Sequence, residues 1–254
     1  MWELYDELIA GIPENAAVDD MICGISGTYV RSGSGIGIAG TTDETWRGAI
    51  LPKKALGMPL RELAGCIKSW SFEEAGVGLA AINAWYNDVS RLRALGLNIP
   101  DAEHLEDRSA DPFITLQRDM KGKNVTVIGH FPYIDQLLAP VCNLSVIEKF
   151  YPREGDYPEQ AADYLLPDSD YVVISAYTIV EKTLPRFLKA CGNAHVTLIG
   201  SSSPVTPILR RYGVNDIAGF VVKNSNAARN FSLGFGGNIH STGQKINYRT
   251  ECTE

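Results

Sequence analysis

The sequence predicts an α/β protein in which a small α+β unit precedes a mostly parallel, doubly wound sheet. Three observations carry that prediction. From Asn124 onward, short β-branched runs (NVTVIGHF, NLSVIEKF, YVVISAYTI, HVTLIGSS, DIAGFVVK) alternate with helical stretches, which is the rhythm of a sheet buried on both faces. Up to about Gly96 the order is instead helix, strand, strand, helix, helix. Between the two, residues 97–118 (LNIPDAEHLEDRSADPFITLQR) mix Pro with Asp, Glu and Arg and break the periodicity, as an interdomain link does. The expected division is one domain over residues 1–106 and a second over 107–254.

In the first half, Trp2, Leu4, Tyr5, Leu8 and Ile9 have helical spacing, and Met21 to Val30 alternates like one strand. Gly35 to Gly40 alternates as a second strand, joined to the first by the hairpin residues Arg31 to Ser34. That second arm, Gly35-Ile-Gly-Ile-Ala-Gly40, fits the dinucleotide pattern G-x-G-x-x-G. The pattern needs a parallel strand before it and a helix after it, whose amino terminus holds the pyrophosphate. Here it lies inside a hairpin arm and is followed by TTDET, and Lys53 to Leu60 lacks the acidic ribose ligand. The dinucleotide reading therefore fails. Glycines in a strand still permit close approach of another backbone or of a ligand.

The stretch FEEAGVGLAAINAWYN reads as a helix with Gly76, Leu79, Asn83 and Tyr86 on one face. Gly76 and Gly78 imply close packing or a helix start near Val77. An amide aimed among apolar neighbours needs hydrogen-bond partners, so Asn83 either ties elements together or faces a ligand cleft.

In the second half, ligands of open parallel sheets bind outside the carboxyl ends of the strands, at a topological switch point. The strand ends there are Gly129-His130-Phe131-Pro132, Glu148-Lys149, Ser175 to Thr178 and Gly200 to Ser203. Gly129 and Phe131 stand where a ligand approaches the first strand. His130 suits an acid, a base or a metal ligand, or else a ring that caps the sheet edge by hydrogen bonds. Glu148 follows Gly129 by 148 − 129 = 19 residues, the place of a ribose-binding acid; the other reading is a surface carboxylate beside Lys149. As an exposed strand-end residue it is expected to contribute little to folding. Ser201, Ser202 and Ser203 either cap the helix that Pro204 opens or hold an anion on free N–H groups and hydroxyls.

Composition narrows the partners. The chain has 254 residues, a net charge of −7 and no basic run, which argues against nucleic-acid and anionic-membrane surfaces. Its apolar runs are too short to span a bilayer, and Glu3, Asp6 and Glu7 precede any basic residue, so a cytoplasmic protein is expected. The five cysteines (Cys23, Cys66, Cys142, Cys191 and Cys252) form no C-x-x-C pair and read as reduced thiols. His104, His130, His195 and His240 form no zinc-binding helix pair. G-x-S-x-G and G-x-x-x-x-G-K-[ST] are absent from the sequence.

Taken together, the segments VGLAAINA, VIGHFP, SAYTIVEKTLPRFL and LIGSSSPVTPILRRYGVNDIAGFVV resemble the putative heavy-metal chelation family of prokaryotic proteins. The resemblance covers most of the chain. It implies an enolase amino-terminal-like domain followed by a Rossmann-like domain, similar in part to Rossmann-like methyltransferases, with a site in the cleft between the two. By matching segment it points to Asn83, His130, Thr178, Thr183 and the Ser201 to Ser203 loop. One departure stands out: Glu181-Lys182-Thr183 has Lys where the family pattern has Asn.

Two functions follow as expectations. One is an enzyme acting on a nucleotide-, pterin- or siderophore-like small molecule by hydrolysis, condensation or group transfer, with Glu148 positioning the ligand and His130 and Asn83 as catalytic candidates. The other is a protein that binds a metal chelate or small molecule without turnover, using His130 and oxygen ligands for a divalent metal. A homodimer is the expected assembly, two-fold closure being the commonest.

Overall fold

The computed structural model describes residues 2–40, 54–101 and 111–249. His104, Cys252 and the expected domain boundary at 106/107 lie outside the described residues. Helix α1 (Glu3–Ala10) buries Leu4, Tyr5 and Leu8. Strands β1 (Asp20–Cys23), β2 (Thr28–Ser32) and β3 (Gly35–Ala39) then form an antiparallel sheet in that order. The single strand expected over Met21 to Val30 is thus two. The chain reverses where Gly24 N–H donates to Gly27 O (3.1 Å), and Ser26 N–H is held by Ser232 O (3.3 Å), a contact from the far end of the sequence.

Helix α2 (Leu60–Ala64) and a 3₁₀ turn lead into α3 (Phe72–Tyr86), in which every residue from Ala75 to Ala84 is buried. Gly76 and Gly78 lie inside this helix rather than at its start, and the closest approach is at Gly78, where a Cβ would come within 2.0 Å of Ile67 N. The glycine-rich strand has the same cause. A Cβ on Gly35 would meet Ala84 O at 1.9 Å, and one on Gly37 would meet Ala80 O at 1.8 Å, so α3 lies directly on the β3 backbone. Helix α4 (Val89–Ala94) follows, capped by Asp88, which accepts from the N–H groups of Ser90 and Arg91.

The second half begins with α5 (Pro112–Thr115) and continues through β4 (Asn124–Ile128), α6 (Ile134–Leu138), β5 (Asn143–Ile147), α7 (Ala162–Leu165) and β6 (Tyr171–Ser175). Helices α8 (Tyr177–Glu181) and α9 (Leu184–Ala190) then lead to β7 (His195–Ile199). A 3₁₀ run over Pro207–Tyr212 leads to β8 (Asp216–Val222), α10 (Ser225–Leu233) and β9 (Gly243–Arg249). The sheet order is β5-β4-β6-β7-β8-β9, parallel except for β9. The sequence reading ended in a helix from about Asn226, and the antiparallel edge strand β9 is added to it. Among the described residues no helix is long and apolar enough to cross a membrane.

The winding is lopsided, and that positions the site. Parallel connections are right-handed, so the helix face follows from the direction of each crossover. Only β4 to β5 runs toward one edge, and its helix α6 packs Ile134 and Leu138 on Val125, Val127 and Val173. The later crossovers run the other way. Their helices bury Ala162, Ile179, Leu184 and Phe187 on the opposite face against Ile174, Leu198 and Ile217, in a core continuous with α1 and α3.

Candidate functional site

The predicted residues fall into separate places. Gly129, Glu148 and Thr178 line a cavity of about 230 Å³ at the carboxyl ends of β4, β5 and β6, together with Lys149, Phe150, Ser175, Tyr177 and Glu181. This is the switch point, because β5 and β6 lie on opposite sides of β4. Phe131 and Ser201 line a second cavity, of about 640 Å³, on the α6 face of the sheet. Both are lined, among the described residues, by the second half of the chain.

Glu148 organises the first cavity from its lip. Its Oε2 accepts from His130 N–H (2.7 Å), while Oε1 accepts from the N–H groups of Phe150 (2.7 Å) and Tyr151 (3.3 Å). Burial pushes its pKa up, but these backbone donors outweigh that and hold it below the usual carboxylate range, so the group stays ionised. Beside it Lys149 pairs with Glu181 (Nζ to Oε1 2.9 Å), and Phe150 meets Tyr177 edge-on at 5.9 Å. Thr178 is buried, its hydroxyl donating to Ser175 O (2.7 Å), and Thr183 N–H donates to Thr178 O (3.0 Å).

His130 lines neither cavity. Its Nδ1 lies 2.9 Å from Asp156 and its Nε2 3.1 Å from Asp135, so the ring ties the loops after β4 and β5 together. Asn83 is fully buried, and its Nδ2 donates to Ile38 O and to Ser202 O, both at 2.9 Å. One turn on, Asn87 donates to Ser203 O (2.9 Å) and Phe220 O (3.2 Å) and accepts from Val205 N–H (2.9 Å). The loop after β7 is therefore stapled to α3, with Ser202 and Ser203 buried beneath it and Ser202 Oγ accepting from Gly40 N–H (3.1 Å). The cap of the following 3₁₀ run is Thr206, which accepts from Ile208 N–H, rather than one of the serines.

Sequence reasoning missed Lys182. It caps α8 in the left-handed region (φ 64°), with its ammonium donating to Val180 O (2.7 Å) and lying 5.3 Å from the Phe72 ring centre and 5.8 Å from that of Trp70. Burial pushes its pKa down to about 8. The available signal was the Lys found where the resemblance implied Asn, a residue that tolerates this backbone well.

Metal ligation finds little support in the donors. Among the described residues no three His, Cys, Asp or Glu side chains are placed to hold an ion. The thiols of Cys23, Cys66, Cys142 and Cys191 are free, and burial pushes the pKa of each up, to about 11 for Cys66 and about 12 for Cys191. They are poor thiolates.

The comparisons agree with this architecture. The family described as Putative heavy-metal chelation matches residues 111–250 under the designation DUF364, and a second family of the same description, DUF4213, matches residues 5–86. A protein of unknown function from the DUF364 family of Desulfitobacterium hafniense is 43% identical in sequence. It superposes with a TM-score of 0.91 over 98% of this chain and 99% of its own. A DUF364 protein from Pyrococcus horikoshii, also of unknown function and 22% identical, shares the fold with a TM-score of 0.79 over 97% of this chain and 98% of its own. No curated protein matches the chain. With more than half of its length matched by one family and a 43% identical structure covering nearly all of it, the chain belongs to the DUF364 Putative heavy-metal chelation family.

Proposed function

We propose that the protein binds a small, flat metabolite of nucleoside or pterin type at the carboxyl ends of β4, β5 and β6. The observation that carries this reading is the cavity at the switch point, with the ionised Glu148 at its lip and Phe150 and Tyr177 in its wall. Glu148 Oε2, with one backbone N–H bond against two at Oε1, keeps acceptor capacity, which suits a ribose hydroxyl or a ring N–H donor. Binding is favoured over turnover because both ring nitrogens of His130 are engaged by carboxylates.

Calorimetric titration with adenosine and with a pterin tests this, comparing the wild type with Glu148→Gln. The variant should weaken binding by about 1 to 3 kcal/mol, the range for a hydrogen bond to a charged group. Absence of heat with both compounds in the wild type, or equal affinity in a folded Glu148→Gln, removes the reading.

A further inference from the structure

The larger cavity has a topological origin. Because α6 is the one crossover helix on its face, the sheet beyond it over β7, β8 and β9 is left without a crossover helix, and a space of about 640 Å³ remains there. That volume lies within the range of small-molecule sites. The floor is apolar: Ala218 pairs with Ile199 of β7 and so shares its face, and Phe220 follows two residues on. Phe113 and Phe131, with ring centres 5.5 Å apart, form one wall, and the His240 ring stands edge-on to Phe220 at 5.8 Å on the other.

The polar groups at the rim are those a ligand would use. Among the described residues, Ser201 Oγ and the ring nitrogens of His240 make no hydrogen bond, and Lys245 Nζ has one partner, Asp111 Oδ2, at 3.6 Å. Burial and the Lys245 ammonium push the His240 pKa down, leaving at neutral pH a ring with one N–H to donate. The rim thus offers Ser201, His240 and Lys245 as donors beside the Asp111 carboxylate, over an aromatic floor. An acceptor-bearing ring fits the donors, and the Lys245 ammonium, 3.6 Å from Asp111 Oδ2 and so outside hydrogen-bond range of it, is left to engage a carboxylate of the ligand.

We propose that this cavity is a second ligand site, which takes a planar aromatic carboxylate with its ring over Ala218 and Phe220 and its carboxylate on Lys245 and Ser201. The site is independent of the switch-point cavity, on whose residues it does not draw. A fluorescence titration with 2-naphthoate tests it in the wild type, Lys245→Met and Ala218→Phe, each variant first shown to be folded by its thermal transition. The wild type should bind at one saturable site that excess adenosine leaves occupied. Lys245→Met should weaken binding by about tenfold or more, as loss of a charged hydrogen bond does. Ala218→Phe should abolish it by filling the floor. Lack of saturation, an unchanged affinity in either variant, or displacement by adenosine would overturn the proposal.

Discussion

Asn83 donates both hydrogens of its amide across the molecule, one to Ile38 O in the small sheet and one to Ser202 O in the loop after β7, each at 2.9 Å. The side chain is fully buried, and its Oδ1 has no partner among the described residues. The amide therefore holds together two segments that approach from positions 45 residues before it and 119 after it in sequence. Asn83→Ala leaves two buried carbonyls unsatisfied and should cost about 2 to 4 kcal/mol of stability. Asn83→Asp should cost at least as much, since a carboxylate would face two carbonyl oxygens. Urea denaturation measures both. A loss below about 0.5 kcal/mol for Asn83→Ala would show that the contacts are not held in solution.

The glycine pattern of β3 is set by packing, and two alanine substitutions separate packing from backbone conformation. At Gly37 a Cβ would lie 1.8 Å from Ala80 O and 2.2 Å from Ala84 N, both backbone atoms of a buried helix that cannot yield cheaply. Gly37→Ala should cost more than about 3 kcal/mol or prevent folding, as overpacking against rigid backbone does. Gly33, in the adjoining turn, has φ 58° and nothing within 4 Å of its Cβ position. Gly33→Ala should cost only about 1 kcal/mol, the left-handed penalty alone. Equal losses at the two positions in the same denaturation series would refute the packing account.

What the sequence made legible follows from the range of each interaction. The parallel strands could be read because their apolar runs are local, and each lies within the run that predicts it, as Asn124–Ile128 does in NVTVIGHF. The break between β1 and β2 could not, because the alternation continues through Gly24 to Gly27 and the contact that holds the turn comes from Ser232. Position and residue type suggested Glu148 as a site residue with little part in folding. Its three backbone N–H partners, from His130, Phe150 and Tyr151, give it a structural part as well. His130 was singled out by its place at a strand end, but the carboxylates that hold its ring are Asp135 and Asp156, and no spacing rule connects them to it. Ser201, Ser202 and Ser203 look equivalent in sequence. Ser201 lines the larger cavity, while Asn83 and Asn87 draw the backbone of the other two into the core.

Lys182 combines a strained backbone with a half-buried cation, and the two effects point the same way. Its φ of 64° places an ordinary side chain in the region that Gly and Asn tolerate best, and its pKa falls from 10.5 to about 8 on burial. A lysine whose pKa is lower in the folded state binds fewer protons there than in the unfolded chain, so stability must rise with pH between about 8 and 10.5 and the charge is a cost at neutral pH. The Trp70 and Phe72 rings, 5.8 Å and 5.3 Å from the ammonium, oppose this by favouring the charged form. Lys149 lies 5.9 Å from the same Phe72 ring but is paired with Glu181, so it adds little net charge. Lys182→Asn, which places a residue that tolerates the left-handed region, should raise stability at pH 7 by about 0.5 to 1 kcal/mol through backbone relief. It should also flatten the dependence of stability on pH between 8 and 10.5. Denaturation midpoints of both proteins at pH 7, 9 and 10.5 decide the matter: a less stable variant at pH 7 would mean that the aromatic contacts outweigh strain and burial together.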